Sequence, residues 1–481
     1  MLSKYNLKTL PNGLRIVTIP MNATDSVTAF LIVGAGTRCE DEKNNGISHF
    51  LEHIVFKGTK KYKTALALST AVDSVGAEFN AFTDKESTGF YVKAAKKHLD
   101  LALQVLSELV FYPLIREADI RKEKGVIVEE INMYDDQPMA KVGKDFETLL
   151  YKDTPLGFET IGTKENVVKM TQKDFFSYRK RYYVPERMIL GIAGAIPKLQ
   201  GSSFKVQALI ERYFFSKKHF GSVKRSSDSL RKKVKKNIIG SRGLVSSPCL
   251  LARPAGGSVG RDLRVRQLAD QETSGVSLTF SQEKPAVFVR RKKTAQSHFC
   301  LGVRAFKRTH KERYSLAVMS AILGGGMSSR LFTEVREKRG LAYYVSTSVG
   351  TFYDNGYLVT QAGVDKNKIS KAIEVILSEY RKVTSYQLPV TSKELRKAKE
   401  YLKGRFILSL ENSKAVAALF AENLLLEGKV RLPDEIMKKI DAVTLADVRR
   451  VAKKVFVDDG LNLSVVGPYK DKGRFEKLLR F

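Results

Sequence analysis

Apolar and polar positions along the chain alternate between two-residue and 3.6-residue periods, and the same order of elements occurs twice. In the first series a strand–turn–strand pattern surrounds Asn12-Gly13, and a strand from Val27 to Val33 precedes a helix around residues 47–56. A strand around Gly89–Val92 then leads to a helix around Ala102–Leu106, and a further helix carries Glu123 and Glu130. In the second series the strand His298–Ala305 precedes an apolar helix, Tyr314–Leu323. A strand at Gly356–Thr360 leads to Ala372–Ile376, and a long helix follows from about Ser392 to Leu410. Strands mixed with runs of helices define an α+β class, with two similar halves, each a mainly antiparallel sheet with helices packed on it. The expected domains are 1–222, a linker or insertion at 223–283, and 284–481. Residues 226–281 show neither period and read as a disordered or loosely held insertion, or as sequence that is not native coding.

The helix around residue 50 has two faces. Ile47, Phe50, Leu51, Ile54 and Val55 form an apolar stripe at i, i+3, i+4, i+7 and i+8. His49, Glu52, His53 and Phe56 repeat that spacing on the opposite side. The chain has six histidines, and two of them bracket a carboxylate here at i and i+4. That H-x-x-E-H order supplies two metal ligands and a proton acceptor, the residue types that metal-assisted peptide hydrolysis needs. A catalytic zinc site typically takes a third protein ligand. Cys39, Cys249 and Cys300 are scattered without C-x-x-C spacing. The stretch Glu123–Glu130 is the better source: Glu123, Val126, Ile127 and Glu130 share one helical stripe, and Glu129 lies about 100° away. A solvated face is the competing reading of Glu129-Glu130.

The run Gly46–Thr59, GISHFLEHIVFKGT, resembles the pitrilysin/insulinase family of zinc peptidases, and its processing-peptidase branch in particular. In that family the third ligand is a glutamate seven positions after a second functional glutamate. Glu123 and Glu130 have that spacing, and Glu130 follows His53 by 77 positions, as the family pattern expects. The resemblance therefore implies a zinc ion held by His49, His53 and Glu130, with Glu52 as general base and Glu123 as its support. Asn80-Ala81-Phe82-Thr83 looks like the family's substrate-side strand. Leu10–Leu14, Thr154–Gly157 and Tyr183–Pro185 match as well, and VREKRGLAYYV, Val335–Val345, is similar to the motif of the second half. Arg336 and Tyr343 then stand where the family contacts the substrate backbone. Longer members close two such pairs of halves around the substrate, so a chain with one pair is expected to form a homodimer, or a heterodimer with a related subunit. The substrate class implied is a peptide or unfolded polypeptide. Residues 226–281 depart from the family, which has a short linker there.

Composition changes this picture little. The 481 residues are 43% hydrophobic, enough for sizeable cores, and no run of about 18 apolar residues marks a membrane span. No signal-like apolar segment opens the sequence, so the cytoplasm is the expected compartment, and three unpatterned cysteines give no disulfide framework. The net charge of +32 raises nucleic acid as a partner, but 19 Lys/Arg against 5 Asp/Glu fall within residues 217–293, and the basic runs there, Arg231–Lys236 and Arg290–Lys293, have no interleaved aromatics. A solvated charge run is the better reading, and nucleic-acid binding stays a minor alternative. A non-catalytic subunit that kept the fold is the other; loss of His49, Glu52, His53 or Glu130 would have favoured it.

Overall fold

The computed structural model describes residues 4–196, 202–215, 282–385 and 390–480. The expected insertion at 226–281, and nearly all of the expected linker, lie outside the described residues. The first sheet has six strands: β1 (Asn6–Thr9), β2 (Arg15–Pro20), β3 (Ser26–Val33), β4 (Glu78–Thr83), β5 (Thr88–Ala95) and β6 (Met188–Gly194), in the order β1-β2-β6-β3-β5-β4. The second has five: β7 (Ala286–Arg291), β8 (Gln296–Ala305), β9 (Ala342–Thr351), β10 (Gly356–Asp365) and β11 (Leu461–Gly467), in the order β7-β11-β8-β10-β9. The two share one plan. A late strand, β6 or β11, lies parallel to β2 or β7 and antiparallel to the long strand β3 or β8. The other neighbour of that long strand forms a hairpin with an edge strand, β4 or β9. The two homologous α+β halves read from the sequence are therefore present.

The helices of the first half are α1 (Ile47–Val55), α2 (Ala65–Asp73), α3 (Leu99–Phe111), α4 (Glu117–Asp135), α5 (Pro138–Leu150), α6 (Lys164–Lys169), α7 (Gln172–Tyr182) and α8 (Ser202–Phe214). Those of the second are α9 (Arg313–Gly324), α10 (Ile369–Thr384), α11 (Ser392–Ser409), α12 (Ser413–Leu426), α13 (Pro433–Asp441), α14 (Leu445–Val455) and α15 (Gly473–Glu476). On one face of each sheet most of a half's own helices bury a large apolar cluster. In the first half that cluster joins Val27, Ala29, Leu31 and Val33 of β3 to Phe50, Leu51, Ile54, Leu103, Leu106 and Ile127.

The other face of each sheet is covered by a helix from the opposite half. Val416, Ala417, Phe420, Ala421 and Leu424 of α12 pack on Val17, Ile19, Phe30, Ile32, Ile189 and Ala193 of the first sheet. The hydroxyls of Thr28 and Ser413 meet there at 2.8 Å. Reciprocally, Val142, Phe146 and Leu150 of α5 pack with Cys300, Val359 and Val466 of the second sheet. The Ser464 hydroxyl donates to the carbonyl of Val142 at 2.7 Å, and Arg290 grips Asp145 with two 2.7 Å hydrogen bonds. Gly191 lets α12 approach β6, because a Cβ there would stand 2.8 Å from the Ala417 carbonyl oxygen. Gly191→Val is therefore expected to cost about 1–3 kcal/mol or more through overpacking against backbone. Thermal denaturation checks this: a midpoint several degrees below wild type is expected, and an unchanged midpoint counts against the close contact.

Candidate metal centre

Helix α1 is anchored before it presents its polar face. Gly46 precedes it with φ of +99°, packed so closely that a Cβ would stand 2.8 Å from the Ile161 carbonyl oxygen. Glycine tolerates both constraints at no steric cost. The fully buried Glu40 accepts hydrogen bonds from the Gly46 and Ser48 amides at 2.8 and 2.9 Å and from Asn45 Nδ2 at 2.9 Å. Burial holds the Glu40 carboxyl above its ordinary pKa against these bonds. This carboxylate satisfies amides at the start of the helix that have no partner within it. Ile47, Phe50, Leu51, Ile54 and Val55 are all buried, with the Phe50 ring edge-on to Phe175 at 4.9 Å. The apolar stripe is thus where the periodicity put it, and His49, Glu52 and His53 lie half-buried on the opposite side.

Helix α4 supplies the facing carboxylates. Its buried line is Ile120, Glu123, Ile127 and Ile131, so the expected stripe through Val126 is displaced: Val126 is 51% exposed. Glu130 sits half-buried beside that line. Glu129 is exposed and accepts a 3.3 Å hydrogen bond from Asn132.

Nε2 of His49 and Nε2 of His53 stand 3.7 and 3.5 Å from Glu130 Oε2. These spans exceed a hydrogen bond, yet three ligand atoms about 2.0–2.2 Å from a tetrahedral metal stand about 3.3–3.6 Å apart. The candidate ligand atoms of His49, His53 and Glu130 all lie within 4.8 Å of one another, and among the described residues this is the group so arranged. The donor set fits zinc. Burial, then the neighbouring charges of His53 and Lys144, push the His49 imidazole down to a pKa of about 3. It is therefore neutral and free to ligate.

His53 is oriented from behind. Its Nδ1 is 3.0 Å from Glu123 Oε1, and Lys57 Nζ is 2.7 Å from Glu123 Oε2. Burial of Glu123 raises its pKa, but the bonds to His53 and Lys57 outweigh that and hold it below the ordinary carboxylate range. Such a carboxylate–imidazole contact fixes the ring and strengthens its other nitrogen as a ligand. Glu52 is outside the cluster. Its Oε2 accepts a 2.6 Å hydrogen bond from Thr83 Oγ1, and burial raises its pKa against that bond.

The remaining candidates are placed as follows. Asn80, Ala81, Phe82 and Thr83 lie on β4, the open edge of the first sheet, beside α1. Arg336 and Tyr343 are exposed neighbours, the guanidinium 5.8 Å from the ring centroid, on a π-helical turn and on edge strand β9. Among the described residues no hydrogen bond or ion pair links either to the His–His–Glu cluster. Cys300 is a buried free thiol. Sequence reasoning passed over Lys57, although it follows His53 by one helical turn, and Glu40. No helix among the described residues is long and apolar enough to cross a membrane.

Comparison with known proteins gives a consistent result. The family model described as Insulinase (Peptidase family M16) matches residues 15–164, and that described as Peptidase M16 inactive domain matches residues 169–402. The uncharacterized zinc protease YmxG of Bacillus subtilis is 33% identical over 97% of this chain and 98% of its own length. An uncharacterized zinc protease of Mycobacterium leprae is 33% identical over 98% of this chain and 94% of its own. Among solved structures, a protease from Helicobacter pylori aligns with a TM-score of 0.77 and 25% identity, covering 97% of this chain and 100% of that one. A peptidase M16 inactive domain from Pseudomonas fluorescens shares the fold at a TM-score of 0.76 and 15% identity, over 97% of this chain and 98% of its own.

Proposed function

The chain belongs to the insulinase (M16) peptidase family, and on that footing we propose that it is a zinc metalloendopeptidase acting on peptides or unfolded segments. The observation that carries this reading is the convergence of His49, His53 and Glu130 with the non-ligating Glu52 one position before His53. Those three side chains would hold the metal. Zinc held there would supply Lewis-acid chemistry, making a water more acidic and polarising a carbonyl oxygen. Glu52 accepts the proton of the attacking water and returns it to the departing amine. Glu123 and Lys57 keep the His53 ring aligned. The edge of β4, unpaired among the described residues, offers main-chain groups to an extended peptide, a mode of recognition that tolerates many side chains.

The test is metal analysis together with hydrolysis of an internally quenched peptide. About one zinc per chain and metal-dependent cleavage are expected. Zinc-loaded protein that cleaves none of a varied peptide set would favour the non-catalytic subunit reading.

The active assembly proposed is a twofold homodimer in which Arg336 and Tyr343 of one protomer face the metal centre of the other. Both are exposed, Tyr343 to 71%, and could donate hydrogen bonds to a developing oxyanion. Mixing Glu52→Gln with Arg336→Ala protein should restore activity above either alone, since some mixed dimers then hold one complete site. An active monomer in sedimentation, or no gain once subunit exchange is demonstrated, would refute the trans arrangement.

A further inference from the structure

We propose that Thr83 is a positioning residue for Glu52, a role that rests on the peptidase reading. Strand β4 alternates its side chains between two layers. Phe79, Ala81 and Thr83 face the α1 side: the Phe79 ring lies 5.5 Å from Phe56, and Ala81 packs against the core of the first half. Phe82 faces away and stacks on Phe30 at 6.1 Å. Thr83 is the last residue of the strand and reaches Glu52 across 31 positions of sequence. Among the described residues its hydroxyl is the one hydrogen-bond donor to that carboxylate. A glutamate has three rotatable bonds before its carboxylate. One bond to Oε2 removes most of that freedom and leaves Oε1 open to a water.

The backbone that follows Thr83 is itself held firmly. The chain turns directly after it, with Asp84 and Ser87 paired backbone to backbone at 2.8 Å. The Arg38 amide donates to the Lys85 carbonyl at 2.7 Å, and the Lys85 ammonium binds the Phe158 carbonyl. Glu86 accepts from Arg38 Nη1 at 2.9 Å and from the Tyr353 amide at 3.0 Å. Arg38 also donates to Asp354 at 2.8 Å. The turn that ends β4 is thus clasped by the first half and by the β9–β10 hairpin of the second. A peptide added to the β4 edge would align along the same strand that fixes the base.

Thr83→Val removes the hydroxyl and keeps the branched shape; Thr83→Ser keeps the hydroxyl and removes the methyl. In zinc-loaded protein, Thr83→Val should lower kcat by about 10–100-fold, the scale of a catalytic group misplaced by about an ångström. KM should stay within about twofold and zinc at about one per chain, while Thr83→Ser stays within about threefold of wild-type kcat. Crystal structures of the metal-free proteins give a second readout: the Glu52 carboxylate should rest on position 83 in wild type and leave it in Thr83→Val. Wild-type kcat in Thr83→Val, a Thr83→Ser as slow as Thr83→Val, or an unmoved Glu52 would each overturn this inference alone. Absence of hydrolysis by the wild type would instead overturn the peptidase reading. Should Thr83→Val fail to fold, Thr83→Ala carries the same comparison.

Discussion

Glu52→Gln protein is expected to purify with about one zinc per chain and to lose turnover by about 10²–10⁴-fold, the range contributed by a positioned general base. The two halves of that expectation rest on different observations. Metal retention follows because the converging group is His49, His53 and Glu130, and Glu52 is not in it. The loss of rate follows because an amide of the same shape can still accept the Thr83 hydrogen bond but cannot take up a proton. Metal analysis and quenched-peptide kinetics on one preparation read both. Loss of zinc would place Glu52 among the ligands, and retained turnover would move the base elsewhere.

His49→Ala, His53→Ala and Glu130→Gln are each expected to abolish stoichiometric zinc binding, whereas Glu129→Gln keeps it. The contrast between the adjacent glutamates is decided by helix geometry. Glu130 is half-buried with an oxygen 3.5 and 3.7 Å from the two imidazoles, and Glu129 is exposed and bonded to Asn132. Glu123→Gln should bind zinc about 10–100-fold more weakly, the usual cost of losing a carboxylate behind a ligating histidine. Equilibrium zinc titration against a competing chelator measures all five. Loss of metal from Glu129→Gln with retention in Glu130→Gln would reverse the assignment.

Much of this site was legible because it is built from short-range periodicity. The two stripes of α1 are visible in nine residues, and apart from the buried Ser48 each buried or half-buried position falls where the 3.6-residue period puts it. On α4 the stripe separated Glu130 from Glu129 but ran too wide, since Val126 faces solvent. Strand β10 also extends five residues beyond the segment the pattern marked, to Asp365, because its pairing with β8 continues to Gln296. The Thr83–Glu52 bond has no local signal, because it depends on how an edge strand docks against a helix. The exchanged helices were equally hidden. The apolar face of α5 or α12 announces that it will be buried, and nothing in its period says on which sheet.

That exchange has a consequence for the order in which the molecule can be completed. The first sheet has all six strands once Gly194 is synthesised, but the helix that covers its second face ends at Leu426. At about 5–20 residues per second, the intervening synthesis takes roughly 10–50 s. For that interval Val17, Ile19, Phe30, Ile32, Ile189 and Ala193 present an uncovered apolar surface on the nascent chain. Native-like closure of the first half therefore waits on synthesis of the second half through Leu426. A ribosome stalled before residue 413 should hold a chain that binds chaperones and resists compaction, however well formed its first sheet.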